Sequence, residues 1–300
     1  MVLLIKKLPN FPHKTKHHKL DQSKSIALQT FHSTTSENLH KLFSDHKNGL
    51  NYASISLTWY IPCIKFIQGM NRAFAKFVKD LDYPLTKWKG NLGEDYFAYT
   101  LSMLDALNSI SSSISHVGTC RLRLAHAITL ISSNPASAIH QLKPIAVEKT
   151  KALDFKQVSE VKSLDGGKER VVLEAMMKMR SVVSSILKVL IRGLCGERDE
   201  EIGSINWGEF EGFDFGFGGE MIVVKEIKEV NEVVKKIEGC LVDGKKSKYE
   251  AEEKTEDLKR KLGELESLSE IVSKEIDCLF SEVLHRRNEL INCFRLPKCT

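Results

Sequence analysis

The sequence has no apolar stretch long enough to cross a membrane, and its cysteines do not have the pattern of a protein stabilised by disulfide bonds. A membrane span needs roughly 18–20 apolar residues, and the nearest approach, residues 181–194, is interrupted by Lys188 and Arg192. The apolar run from Val2 to Ile5 is too short for the core of a secretory signal. The seven cysteines include no Cys-x-x-Cys pair and their number is odd. We therefore predict a protein of a reducing compartment.

Sequence patterns that carry catalysis are missing as well. There is no His-Glu-x-x-His, no Walker phosphate loop and no recognisable Ser-His-Asp arrangement. Gly166 and Gly167 follow no predicted strand, whereas a phosphate-binding glycine loop requires one. We therefore predict that the chain is not an enzyme and that it has neither catalytic residues nor a cofactor.

The sequence has no excess of charge outside its first twenty residues. Its formal net charge of +5 equals the number of lysines in residues 1–20, which contain no acidic residue. The remaining residues carry equal numbers of basic and acidic side chains. A nucleic-acid-binding domain is expected to carry its basic residues on the domain itself, so we predict no nucleic-acid partner.

Residues 1–20 form a basic tail that has two alternative roles. Its lysines are candidates for weak peripheral contact with an anionic membrane surface. They are Lys6, Lys7, Lys14, Lys16 and Lys19. The lack of acidic residues is also compatible with an organelle transit peptide, although we interpret the segment as an unstructured tail. The predicted location is the cytoplasm, with peripheral membrane contact, and the alternative is a plastid.

Helical periods run through most of the remaining sequence, and strand signals are scarce. In the helix that ends at Leu81, apolar residues recur at intervals of three and four, the spacing that keeps one stripe against a neighbouring helix. Pro62 is expected to start or bend this helix, and Pro84 predicts a turn over residues 82–88. The other predicted helices cover about residues 23–46, 91–131, 136–153, 172–190, 221–242 and 248–294. We predict one all-α domain over residues 21–300, an elongated antiparallel helical bundle.

The first predicted helix is expected to bury one face, formed by Ile26, Phe31, Leu39, Leu42 and Phe43. The last predicted helix has the longest regular pattern, in which positions alternate by four and three residues. This seam consists of Leu258, Leu262, Leu265, Ser269, Val272, Ile276, Leu279, Val283, Arg286, Leu290 and Cys293. Such a repeat is typical of coiled-coil-like packing against other helices.

Two Glu-x-x-His sequences, Glu37–His40 and Glu282–His285, have the residue types of a di-metal carboxylate site in a helical bundle. Ligands of such a site must point into the bundle. At about 100° per residue, Glu282 lies about 100° from the centre of the seam and His285 about 160°. Glu37 and His40 likewise point away from the apolar face of their helix. We therefore predict that all four side chains are solvated and that the chain has no metal site.

Cys278 lies about 140° from the centre of the seam. A reactive thiolate needs a nearby base and an electropositive setting, and no histidine shares its helix face one turn away. We interpret Cys278 as a partly buried structural cysteine.

A change of composition marks residues 198–220, which contain six glycines, five aromatic residues and seven acidic residues against one basic residue. Glycine at this density disfavours a helix, so we predict a long irregular loop. One interpretation is an insertion without a role. The other is a segment that binds a protein partner through its aromatic side chains, because aromatic residues dominate interface energetics. The candidates are Trp207, Phe210, Phe213, Phe215 and Phe217.

Two segments of the sequence resemble a known family, the plant BYPASS-type proteins. In Leu81–Ile114 the resemblance consists of a leucine-proline turn, a tryptophan and a helix that carries Leu104, Asp105 and Asn108. In Val272–Arg295 it consists of a Lys-Glu-x-Asp-x-x-Phe core and a closing Arg-x-x-Leu-x-x-x-x-Arg. The chain differs from better-known members in its acidic Gly/Phe-rich loop.

The resemblance implies a plant developmental or signalling regulator, of the kind that restrains a root-derived mobile signal that arrests shoot growth. It implies no catalytic residues. We therefore expect a helical scaffold or adaptor that acts through unidentified protein partners. The alternative is an enzyme or binding module for a small apolar signal precursor held between helices, which an interior pocket with convergent polar groups would favour.

Overall fold

The computed structural model describes residues 13–44, 50–51, 54–88, 91–147, 167–195, 223–243 and 248–295. Over these residues the protein is an all-α helical bundle, as the sequence predicts. Its helices are α1 (His13–Ser44), α2 (Leu57–Asp80), α3 (Leu92–Leu130), α4 (Pro135–Gln141), α5 (Lys168–Cys195), α6 (Lys225–Asp243) and α7 (Lys248–Arg295). Three two-residue strands accompany them, namely β1 (Leu50–Asn51), β2 (Ser54–Ile55) and β3 (Val223–Val224).

Helix α1 differs from its prediction at its amino-terminal end. It begins at His13, so residues 13–20 of the basic tail are helical. Ile26 is 56% exposed although the sequence places it on the inner face, while Phe31 is buried as expected. Phe31 already packs against Phe77, close to the carboxyl end of α2. Ile26 lies five residues before Phe31, which places it about 140° around the helix, and Ala27 and Leu28 pack partly against the core instead.

Helix α4 is shorter than predicted, because it ends at Gln141 instead of near residue 153. Pro144 follows closely and can neither donate the next helical hydrogen bond nor favour a helical residue before it. A side chain of α6 holds the chain beyond this point. Asn231 accepts a hydrogen bond from the Ile145 amide (2.7 Å) and donates one to the Ile145 carbonyl oxygen (2.9 Å).

The three strands form a small mixed sheet in the order β1-β2-β3. Strand β2 is antiparallel to β1 and parallel to β3, where Ser54 lies opposite Val223 and Ile55 opposite Val224. The sequence instead predicts a helix from residue 221. That prediction is wrong at its start, because Val223 and Val224 pair with β2 and α6 begins only at Lys225.

A carboxylate from α6 completes the amino terminus of α2. Ser56 is the N-cap residue, and its hydroxyl accepts a hydrogen bond from the Thr58 amide. Helix α2 has no acidic residue in its own first turn. Glu226 supplies one, since its carboxylate accepts hydrogen bonds from the Ser56 hydroxyl and from the Leu57 amide (3.0 Å). A negative charge at a helix amino terminus is favourable because the unpaired amide groups point toward it.

Helix α7 packs against α2, α3 and α6. The apolar seam positions up to Val283 are buried as predicted, while the side chains of Leu290 and Cys293 lie outside the described residues. Leu258, Leu262, Leu265, Val272, Ile276, Leu279 and Val283 are all buried. Ser269 and Arg286 of the seam are half-buried. Helix α7 is therefore a common packing partner of three other helices.

Ion pairs along α7 give the directions of its neighbours. Lys65 and Arg72 of α2 pair with Glu275 and Glu282 of α7, so residue numbers rise together and α2 runs parallel to α7. Helix α3 runs antiparallel to α7, and its contacts are the pairs Arg121 with Glu266 and Phe97 with Arg287.

Candidate functional site

The aromatic residues that the sequence singles out for partner binding, Trp207, Phe210, Phe213, Phe215 and Phe217, lie outside the described residues. The same holds for Lys6 and Lys7. Lys14, Lys16 and Lys19 lie on the first turns of α1, where the structure describes the backbone. Their roles in partner and membrane contact therefore stay predictions.

Three of the four Glu-x-x-His side chains are solvated, as predicted. Glu37 and His40 are exposed on α1, and the side chain of His285 is 75% exposed. The prediction is wrong for Glu282, whose side chain is only 16% exposed because two arginines cover it. Among the described residues, no group of three or more metal-ligating side chains comes together.

Cys278 is exposed, so its interpretation as a partly buried cysteine is wrong. Cys278 lies about 140° around the helix from the centre of the seam, which places it outside the face by which α7 contacts its three neighbours. Cys63 of α2, by contrast, is fully buried, and burial raises the pKa of its thiol well above the ordinary value.

The two segments that resemble the BYPASS-type proteins meet at one end of the bundle. The first contributes the turn after α2, a short 3-10 helix at Leu85–Lys87 and the start of α3. The second contributes the carboxyl-terminal half of α7, which packs against α2, α3 and the 3-10 helix. We call this place the junction. It brings residues about two hundred positions apart in the sequence into contact.

Aromatic side chains fill the inner part of the junction. The rings of Phe74 and Tyr96 stack with centroids 6.0 Å apart, and Trp88 meets both edge-on, at 6.4 Å and 5.6 Å. The indole nitrogen of Trp88 donates a hydrogen bond to the Tyr83 carbonyl oxygen (3.1 Å). This bond fixes the turn, because it anchors the tryptophan to the loop that it covers. Burial raises the pKa of Tyr96, which is therefore neutral at physiological pH.

An Arg-Glu-Arg network closes the outer part of the junction. Arg72 Nη2 lies 2.9 Å from Glu282 Oε2, and its Nε also donates to the same carboxylate. Arg286 Nη2 donates to Glu282 Oε1 (3.2 Å). Burial acts to raise the pKa of Glu282, but hydrogen bonds and positive charge from both arginines outweigh it and hold the pKa below its ordinary value. Glu282 is therefore ionised and links α2 to α7.

A second arginine of α7 joins this helix to α3. Arg287 Nη1 donates hydrogen bonds to the Phe97 carbonyl oxygen (2.6 Å) and to Thr100 Oγ1 (2.9 Å). Its guanidinium also lies over the Phe97 ring, 5.0 Å from the centroid. Lysine could not reproduce this arrangement, because the planar fork of arginine both stacks and donates in two directions.

A pocket of about 320 Å³ opens beside the network, between the end of α2 and the end of α7. Its lining combines an apolar surface with charged side chains. The lining residues are Phe74, Ala75, Val78, Lys79, Asp82, Pro84, Leu85, Tyr96, Arg286 and Glu289. Asp82 has a φ of 46°, the left-handed conformation that lets the chain turn sharply out of α2 toward Pro84. We call this space the junction pocket.

A further pocket of about 360 Å³ lies between α1 and α2, lined by residues such as Asn38, Lys41, Phe66 and Met70. It is open to solvent on one side and has no aromatic stack like that of the junction. Within the described ranges, none of the helices combines the length and apolar character needed to cross a bilayer.

Reasoning from the sequence missed the junction pocket. Phe74 is one of the apolar residues that recur at intervals of three and four in the predicted helix ending at Leu81. Arg286 is predicted as a seam position, and nothing in the spacing shows that the two residues line one cavity. The one signal was the resemblance, because Pro84, Tyr96 and Arg286 all belong to the two resembling segments.

Comparison with known proteins gives a distant relation. No family model matches the chain, and no solved structure matches it. The chain is 19% identical to "Protein BPS1, chloroplastic" of Arabidopsis thaliana, over 89% of this chain and 83% of that protein. Because the similarity covers most of both chains at low identity, it supports a distant relation to the BYPASS-type family.

Proposed function

We propose that the chain is a plant developmental regulator that acts without catalysis, as a helical scaffold or adaptor for other proteins. The observation that carries the proposal is the similarity to Protein BPS1 over most of both chains. The junction supports it, because the two segments that resemble the BYPASS-type family pack together there, with an ion pair between α2 and α7 and hydrogen bonds between α3 and α7.

The resemblance implies a more specific role, namely that the protein restrains a root-derived mobile signal that arrests shoot growth. Reciprocal grafting tests it. Wild-type shoots on roots that lack the protein are expected to arrest, whereas shoots that lack the protein are expected to grow on wild-type roots. Normal growth in both grafts would contradict the proposal.

The scaffold role requires a protein partner, and residues 202–219 are the candidate segment. Replacing Trp207, Phe213 and Phe217 by serine is expected to abolish capture of that partner from native tissue while the helical circular dichroism signal stays unchanged. A matched control replaces three exposed apolar residues of the helices by serine. These are Ile26, Leu101 and Leu122. An unaltered partner list in the first variant would leave the segment as an insertion without this role.

The second candidate function is a binding module for a small apolar signal precursor. The junction pocket favours it, since apolar walls and charged side chains converge there. Retention of a small molecule through purification from plant tissue, identified by mass spectrometry, would support this alternative over a purely protein-binding scaffold.

Two cellular locations also remain as proposals. Cytoplasmic action is the primary proposal, and the printed name of the relative, which includes "chloroplastic", supports the plastid alternative. A fluorescent protein fused to residues 1–20 is expected to stay in the cytoplasm under the first proposal. Accumulation in plastids would replace it with the second.

A further inference from the structure

We propose that the junction pocket binds a small organic anion with a flat apolar body, of the class of aromatic carboxylates and sulfonates. The inference goes beyond the scaffold function and does not depend on it. It names both a site and a ligand chemistry, and it differs from an uncharged apolar precursor in requiring a negative charge on the ligand.

The walls of the pocket suit a flat ring system. Phe74 and Tyr96, which are stacked on each other, line the pocket together with Val78 and Leu85. Aromatic rings gain from offset and edge-to-face contact with other rings, beyond the gain from burying area. A volume of about 320 Å³ lies at the small end of ligand pockets and is sufficient for two or three rings.

Two cations of the lining have capacity for an anion. The Lys79 side chain is exposed and forms no hydrogen bond or ion pair within the described part of the chain. Arg286 uses one nitrogen for Glu282, while its Nε is buried and has no hydrogen-bond partner among the described residues. A buried donor without a partner is costly, so an anion that accepts a hydrogen bond from Nε would remove this cost.

The two acids of the lining do not cancel this preference. Asp82 lies 3.6 Å from Lys87 Nζ and 3.9 Å from Lys168 Nζ, so two lysines compensate it. Glu289 is 62% exposed and lies 3.3 Å from His285 Nε2, so solvent screens much of its charge. Lys79 is therefore the lining cation without an acidic partner among the described residues, and Arg286 keeps one donor, Nε, unused.

A pair of fluorescent probes tests the proposal on the full chain. Anilinonaphthalene sulfonate has an aromatic ring system with one negative charge, and phenylnaphthylamine has the same rings without the sulfonate. The wild-type protein is expected to bind the sulfonate more tightly than the neutral probe, measured by fluorescence titration. Equal affinity for both probes would overturn the requirement for a negative charge.

Three variants assign the binding to this pocket. Arg286→Lys keeps a cation beside Glu282 but removes Nε, and it is expected to weaken the sulfonate about tenfold. Lys79→Gln is expected to weaken it at least about threefold, and neither variant should change the affinity for the neutral probe. Ala75→Phe fills the space and should abolish binding of both probes at this site.

The matched control is Lys76→Gln, which removes an exposed lysine of the same helix one turn earlier, outside the pocket lining. It should leave both affinities unchanged. Urea unfolding of each variant shows whether it is folded, so loss of structure is not taken for loss of binding. Sulfonate affinity that is unchanged in folded Lys79→Gln and Ala75→Phe would place the bound probe elsewhere and overturn the proposal.

Discussion

Single side chains of α7 contribute to stability according to their direction around the helix. Ile276 belongs to the hydrophobic core and is 1% exposed, whereas the side chain of His285 is 75% exposed. Ile276→Asp places an unpaired charge in the core and should cost several kcal/mol of unfolding free energy. His285→Ala should change it by no more than about 0.5 kcal/mol. Urea melts measure both, and equal destabilisation would contradict the assignment of faces.

Gly193 of α5 is required by a close approach to α2. The Tyr60 hydroxyl donates a hydrogen bond to the Leu190 carbonyl oxygen (2.7 Å), and a Cβ on Gly193 would lie 2.7 Å from that hydroxyl oxygen. Gly193→Ala should therefore destabilise the protein by about 1–3 kcal/mol, as overpacking does in a filled core.

The same contact predicts a rescue. Without the hydroxyl, the nearest ring atom of residue 60 lies 3.8 Å from the added Cβ, an ordinary contact distance. In a Tyr60→Phe background, Gly193→Ala should be neutral or slightly stabilising, because glycine in a helix costs up to about 1 kcal/mol relative to alanine. A double-mutant cycle on unfolding free energies measures the coupling. Additive effects would show that the hydroxyl is not the obstacle.

At the scale of elements, the link between α2 and α7 depends on pH. The folded-state pKa of Glu282 is depressed, so its ionisation stabilises the fold above the unfolded-state pKa of about 4.3. This contribution is lost as the pH falls through the lower folded-state pKa. Between about pH 6 and pH 3, the wild type should lose more unfolding free energy than Glu282→Gln.

A control for this pH dependence lies on the same helix. Glu264 pairs with Arg260, but the side chains are 53% and 57% exposed, and such surface pairs contribute little. Glu264→Gln should therefore follow the wild-type pH dependence in urea melts at several pH values. Identical curves for Glu282→Gln and the wild type would contradict the link.

The elements that the sequence predicts well are those whose pattern is local. The bounds of α3 and α7 agree with their predictions within two residues, because periodicity alone specifies a long amphipathic helix. The errors occur where residues far away in the sequence determine the local structure. Val223 and Val224 form a strand because β2 pairs with them, and Glu282 is covered because Arg72 reaches it from α2. The junction pocket could not be predicted for the same reason, because its lining residues are far apart in the sequence.

At the scale of the whole molecule, the net positive charge lies in the basic tail. A lysine near an anionic bilayer gains about 1 kcal/mol, and apolar residues such as those from Val2 to Ile5 add to this. We expect weak binding to vesicles that contain anionic lipid, lost at high salt and on deletion of residues 1–20. Co-sedimentation with full-length and truncated protein measures it.

The truncated protein serves as its own control, because the first buried side chain described in α1 is that of Phe31 and deletion should leave the fold intact. Binding that survives the deletion would assign the membrane surface to the bundle. Absence of binding by either form would leave the tail as a linker or an address signal.

The cap that Glu226 places on α2 has a consequence for the order of events during synthesis. The hydrogen bond between Ser56 and Glu226 joins residues 170 positions apart, and the bond between Arg72 and Glu282 spans 210. While a ribosome makes the chain, neither the cap of α2 nor its ion pair with α7 can form until these distant partners have been synthesised. The amino-terminal half is therefore an unfinished surface until α7 emerges, and contacts between such distant residues slow folding. The apolar surfaces of α2 and α3 that α7 covers are therefore expected to stay exposed, and prone to aggregation, for most of the time of translation.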